Sequence, residues 1–243
     1  MTNQPWQMKP AKDLGLGPLE RAKSLRRDPG PVSFFSRNIF WAMAHSMLKT
    51  WNGFTVEGRH NLPENMPFVL VANHSSHLDV MMMTLSVPVQ MRVRLFALAA
   101  EDHFFTKVSS SFFTSIMINA LPMSRAGGGK GREAIETFRE RLLTESCGII
   151  IFPEGTRTRD GKVGRFRAGI GNLVAGTNIP VVPCWIDGAF AAFPAGRLIP
   201  RRKKITIQIG KPLTFQDFAT DKDGTEQVAK QLQDAVTALN PSR

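Results

Sequence analysis

"VLVANHSSHLDVMMM", Val69 to Met83, begins as a continuous apolar run, breaks into two histidines and an aspartate, and returns to apolar residues. With Pro67 and Phe68 before it, the run reads as a strand buried on both faces. A half-exposed strand would alternate apolar with polar residues instead. The stretch after it reads as a helix start. Ser75 or Ser76 can cap, and Asp79 stands in the first turn, where the helix dipole favours an acid. In an open α/β sheet the carboxyl edge of the strands is where ligands bind, and Asn73 and His74 fall at that edge.

The same alternation continues along the chain. Residues 54–58, 93–100, 148–153, 179–186 and 204–210 read as further strands, and "INALPM" (118–123) as a short one. Residues 132–146 have strong helical periodicity, 166–178 form a weaker candidate because of their glycines, and 225–239 open on Thr225 as an N-cap. Residues 102–117 read as an amphipathic packing helix with Phe104, Val108, Phe112 and Ile116 on one ridge. The expected fold is α/β: a single domain with a mostly parallel mixed sheet flanked by helices, preceded by an N-terminal amphipathic helix. Residues 1–31 read as a basic polar arm, 32–51 as that helix and 52–243 as the domain itself.

In the 32–51 helix, Asn38, His45 and Lys49 fall on one narrow stripe and apolar residues spread over the rest. Two settings fit such an arc: a membrane interface with the polar stripe toward water, or a core helix. The first thirty residues lack the apolar segment of a secretory signal, and no run approaches the roughly 18 apolar residues of a membrane span. Lysine and arginine number 31 against 20 acidic residues, a net charge of +11. This excess calls for an anionic partner: a phospholipid surface, a nucleic acid, a phosphorylated substrate or an acidic carrier protein. No nucleic-acid motif is present, and aromatics are not interleaved with the basic run at Arg197–Lys204. Cys147 and Cys184, the two cysteines, read as buried free thiols.

Chemistry concentrates at three strand ends. His74 and Asp79 do not share a helical face, yet a tight strand-to-helix turn folds the imidazole back over the first turn. A carboxylate on one ring nitrogen then fixes the tautomer and leaves the other nitrogen as a base. The chain offers no nucleophile beside the pair, so it suits a substrate that brings its own hydroxyl. His77 adds an H-x2-H-x-D pattern, but no third soft ligand follows and common zinc spacings are missing. "FPEGTR" (152–157) places Glu154, Gly155, Thr156 and Arg157 after an apolar strand. There the arginine offers a planar fork for phosphate and the glutamate can accept from hydroxyls. Arg125 follows the 118–123 strand, and the "GGGKG" after it lacks the Ser or Thr of a phosphate-binding P-loop.

"NHSSHLD", Arg125, "FPEGTR" and "IPVVP" (179–183), in that order, resemble the four blocks of the glycerolipid acyltransferases, the 1-acylglycerol-3-phosphate acyltransferase family. The resemblance covers about residues 50–215. Asn73, His74, Ser76 and Asp79 match the first block without a gap. The second block departs at Asn119, where glycine is common, and at Ser124, where an acidic or amide residue is usual. The resemblance implies transfer of a fatty acyl group from an acyl thioester, on coenzyme A or acyl-carrier protein, to the free hydroxyl of a lysophospholipid. The first such acceptor is 1-acylglycerol-3-phosphate, giving phosphatidic acid. Lyso-ornithine or another lyso-aminolipid and glycerol 3-phosphate are alternative acceptors. A peripheral protein that binds anionic membranes without catalysis is the alternative of another class. The resemblance further implies His74 and Asp79 as catalytic residues and Asn73, Ser76, Arg125, Glu154, Gly155, Thr156 and Arg157 as substrate-binding. It implies no metal or organic cofactor, and a place on the cytoplasmic face of a membrane.

Overall fold

The computed structural model describes residues 31–100, 119–123, 129–194, 196–197 and 199–242. The arm at 1–30, the helix expected at 102–117, and Ser124 and Arg125 lie outside the described residues. Helix α1 (Pro31–Asn52) leads into β1 (Thr55–Glu57) and β2 (Phe68–Ala72), and α2 (Asp79–Ser86) follows directly. Next come β3 (Leu95–Ala100), β4 (Ala120–Met123), α3 (Gly129–Thr144) and β5 (Gly148–Ile151). The chain closes with α4 (Gly169–Val174), β6 (Val181–Asp187), α5 (Ala189–Ala192), β7 (Thr206–Ile209) and α6 (Lys222–Ala238).

The strands form one seven-stranded sheet in the order β1-β7-β6-β2-β5-β3-β4. β2 is central and parallel to both neighbours, with Val69 opposite Ile149 on one side and Val181 on the other. Only β6 and β7 pair antiparallel, so the mixed, mostly parallel sheet that the sequence predicts is the sheet found. All five residues of β2 are fully buried. Side chains alternate across a strand, so Phe68, Leu70 and Ala72 enter one core while Val69 and Val71 enter the other. The first core is closed by α1 and α2, the second by α3, α4 and α6. Met82 and Met83 lie in the first core, fully buried. Burying a side chain of that size contributes about 1.5–3 kcal/mol.

Helix α1 is a core helix on one side and exposed on the other. Trp41, Ala44 and Leu48 pack into the first core, while Phe35, Ile39, Met43, Met47 and Trp51 stand exposed along the opposite side. Its C-terminal end is tied to the segment before β7 by Asn52, whose Nδ2 donates to the carbonyls of Arg201 and Lys203. Among the described residues no helix is long and apolar enough to cross a membrane.

Two helix boundaries differ from expectation. α6 begins at Lys222, capped by the Asp221 carboxylate accepting from the Gly224 N–H at 2.8 Å, rather than at Thr225. Thr225 is buried in the first turn, and its hydroxyl donates back to the Lys222 carbonyl. α4 is limited to Gly169–Val174, and Gly171 explains its place in the fold. A Cβ there would stand 2.1 Å from the Thr225 carbonyl oxygen, so only glycine lets α4 and α6 touch backbone to backbone. Cys147 and Cys184 are buried free thiols, as expected, and burial pushes the Cys184 thiol far above its ordinary value.

Candidate active site

Parallel pairing sets the carboxyl ends of β2, β5 and β6 side by side. β2 runs on into Asn73 and His74, and β5 runs on through Phe152 and Pro153 into Glu154. His74 leaves β2 and turns its ring over α2: Nδ1 lies 2.8 Å from Asp79 Oδ2. The same oxygen accepts the backbone N–H groups of Ser75 at 2.6 Å and Ser76 at 2.8 Å. Asp79 itself therefore satisfies the donors at the turn, a task the sequence assigns to a serine hydroxyl. Its side chain is fully buried, whereas the His74 side chain is 20% exposed. The imidazole stacks on Phe152, ring centres 4.2 Å apart at an interplanar angle of 18°. Among the described residues no side chain hydrogen-bonds His74 Nε2. The ring is thus gripped on one nitrogen and one face, with the other nitrogen available to a substrate.

Three residues that the resemblance implies as substrate-binding hold the backbone around the site. Asn73 is buried, its Nδ2 donating to the Ile186 carbonyl and its Oδ1 accepting the Ile186 N–H, which locks the end of β2 to β6. Ser76 is fully buried, its hydroxyl donating to the Phe193 carbonyl at 2.8 Å and accepting the Leu78 N–H. Glu154 is 7% exposed and spans two loops, Oε1 accepting the His74 N–H at 2.7 Å and Oε2 the Gly164 N–H at 2.7 Å. Burial raises the Glu154 carboxyl above its ordinary value, against the pull of those two donors and of His74. Thr158 donates its N–H to the His74 carbonyl at 2.9 Å, so the second loop grips the histidine backbone from both sides.

Gly155 adopts φ 74°, the left-handed turn that glycine accepts without strain. Thr156 is exposed and Arg157 half-buried. One guanidinium nitrogen of Arg157, Nη1, meets Nε2 of His77. A guanidinium can only donate, so the ring nitrogen of His77 is the acceptor in this contact. The two histidines of the H-x2-H-x-D pattern thus go to different partners. Among the described residues no group of three or more His, Cys, Asp or Glu could hold a metal ion. The link from His77 to Arg157 is the feature sequence reasoning missed, since 80 residues separate them.

A buried strand-to-helix turn presenting a His–Asp pair at a parallel sheet edge is an arrangement able to take a proton from a hydroxyl brought to it. The acyltransferase family model matches residues 53–187, and the chain belongs to that family. A 1-acyl-sn-glycerol-3-phosphate acyltransferase of Chlamydomonas reinhardtii is 31% identical over 72% of this chain and 51% of its own. The chloroplastic enzyme BAT2 of Brassica napus is 27% identical over 70% of this chain and 50% of its own. The human alpha enzyme is 29% identical over 53% of this chain and 43% of its own. The chain thus spans about half the length of the curated relatives it matches. The crystal structure of PlsC, a 1-acyl-sn-glycerophosphate acyltransferase from Thermotoga maritima, superposes with a TM-score of 0.64 at 21% identity. That match covers 91% of this chain and 85% of PlsC, and it establishes the shared fold.

Proposed function

We propose that this chain transfers a fatty acyl group from an acyl thioester to the free hydroxyl of 1-acylglycerol-3-phosphate, giving phosphatidic acid. The observation that carries the proposal is the His74 Nδ1–Asp79 Oδ2 contact at 2.8 Å, which orients the imidazole and leaves Nε2 for a substrate. The names of the relatives supply the acceptor class.

The acceptor hydroxyl gives its proton to His74 Nε2 as its oxygen bonds to the thioester carbonyl carbon. Asp79 stabilises the imidazolium that forms. The tetrahedral intermediate collapses with cleavage of the C–S bond, and the thiolate takes the proton back from His74. An ester and a free thiol result, with every proton accounted for and no metal or organic cofactor drawn upon. Arg157, and Arg125 beyond β4, would hold the acceptor's phosphate, since an arginine fork binds phosphate in bidentate fashion. Glu154, Asn73 and Ser76 act through the backbone, fixing where His74 stands.

The enzyme would work from a membrane surface, with the exposed apolar side of α1 dipping into the interface. Lys203, Lys204, Arg201 and Arg202 next to its C-terminal end would meet anionic headgroups. The test is release of free thiol from acyl-CoA with and without lysophosphatidate, with the lipid product identified by mass spectrometry. Acceptor-dependent thiol release and phosphatidate formation are expected. A protein that only binds membranes releases none.

A further inference from the structure

We propose that a cleft behind the catalytic edge, between the loop after Arg157 and helix α6, seats the phosphopantetheine arm of the acyl donor. It rests on the acyl-transfer reading above and names the place where that reaction's second substrate lies. The cleft has a volume of about 910 Å³, and its charged walls are Arg165, Arg167 and Lys230 with Glu154, Asp223 and Glu226, beside Gln227 and Gln233. The loop that runs to it from the catalytic turn carries five cations, Arg157, Arg159, Lys162, Arg165 and Arg167, against a single acid, Asp160.

Asp160 is spent locally, accepting from the Thr158 hydroxyl and the Lys162 N–H. Across the cleft, Arg165 lies 3.9 Å from Glu226, both largely exposed. Among the described residues Arg167 and Lys230 make no ion pair. Arg167 lies flat against Gly155, where an added Cβ would meet its Cζ and Nε at 3.0 Å. Among the described residues two of the cleft's three cations thus lack an acidic partner, and one of them, Arg167, stands against the turn beside His74. The loop is held rigidly, with Phe166 N–H donating to Gln233 on α6 and Arg167 N–H to the Pro153 carbonyl.

The geometry separates the two substrates by face. α1, with its exposed apolar side, covers the first core, and the cleft lies over the second, on the α6 side of the sheet. A lipid acceptor approaches from the α1 side. A water-soluble donor then has the opposite face, with Glu154 forming the common wall: one carboxylate oxygen binds the His74 backbone and the side chain lines the cleft. A phosphopantetheine thioester matches this layout. Its phosphate meets Arg165, Arg167 and Lys230, its uncharged amides meet the glutamine and carboxylate wall of α6, and its thioester passes Gly155 toward His74.

The test is steady-state kinetics of Lys230→Glu, Arg165→Glu and Gln227→Trp, the last filling the cleft without changing charge. All three positions are exposed, and thermal melts check that each variant folds. Acyl-CoA, acyl-carrier protein and an acyl-N-acetylcysteamine thioester, which lacks the phosphate, serve as donors. The charge reversals should raise the donor KM about tenfold for both phosphate-bearing donors, with acceptor KM unchanged and little effect on the truncated donor. Gln227→Trp should weaken both full-length donors. Unchanged donor KM in folded variants, a penalty confined to one carrier, or an equal penalty on the truncated donor overturns the cleft assignment. Failure of the wild-type protein to transfer from any donor is a different result, and it overturns the acyl-transfer reading itself.

Discussion

His74 is placed by three grips that touch different atoms: Asp79 on Nδ1, Glu154 on the backbone N–H and Thr158 on the carbonyl. Removing the base should be the most damaging single change. His74→Ala and Asp79→Asn are each expected to lower kcat by about 10²–10⁴-fold in purified, folded protein. His77→Ala should instead raise the acceptor KM about tenfold with kcat nearly intact, because His77 holds Arg157 rather than the reacting proton. His77→Gln, which keeps an acceptor atom, should recover much of that loss. Dead His77→Ala beside active His74→Ala would mean that the base is misassigned. Since the two histidines face different partners, turnover is also expected to survive exhaustive chelation, measured with EDTA and with added zinc. Glu154 makes a pH prediction. Its folded-state carboxyl value is raised, so its contribution to stability is full below the unfolded value and lost as pH rises through the folded one. The stability of wild type relative to Glu154→Gln, from urea unfolding, should therefore fall across that window. Glutamine offers one acceptor where two N–H groups need one, so the variant should also lose turnover.

At the scale of elements, the strands were legible because β2, β5 and β6 are nearly pure apolar runs, which only a sheet covered on both faces permits. The His–Asp pair was legible for a related reason: a short turn between strand and helix leaves the ring few places to go. The backbone partners of Asn73, Ser76 and Glu154 were not. Whether a polar side chain faces ligand or backbone depends on partners 113, 117 and 80 residues away, which no local pattern encodes. Asn119 shows the converse. The family pattern that the sequence resembles has glycine there, and the φ of 54° fits an asparagine as well, since its side chain tolerates the left-handed region. Its Nδ2 also donates to the carbonyls of Val93 and Leu95, at 2.9 and 3.1 Å, which fastens the start of β4 to β3. At this position the side chain anchors a strand. Asn119→Ala should cost about 1–3 kcal/mol in denaturant unfolding while leaving acceptor KM unchanged.

The whole molecule is two-sided. One face carries the exposed apolar ridge of α1, and at its end the basic segment before β7 joins it through Asn52. Apolar insertion combined with charge predicts binding to lipid vesicles that is stronger on anionic than on neutral lipid and weaker at high salt. Met43 is 68% exposed at the middle of the ridge. Met43→Asp should therefore reduce vesicle sedimentation severely with little change in thermal stability. Equal binding to neutral and anionic vesicles would count against this surface.

The two buried thiols have a practical consequence. Cys147 and Cys184 are 3% and 0% exposed, and they are the chain's whole complement of sulfhydryls. A chromogenic reagent that reports released coenzyme A should thus draw no colour from the folded protein. A cysteine introduced at Met43 would be the one site open to a fluorescent maleimide, with no need to strip the native residues first. The emission of an environment-sensitive dye at that position would then follow the depth of α1 in a bilayer while turnover is read from the same sample.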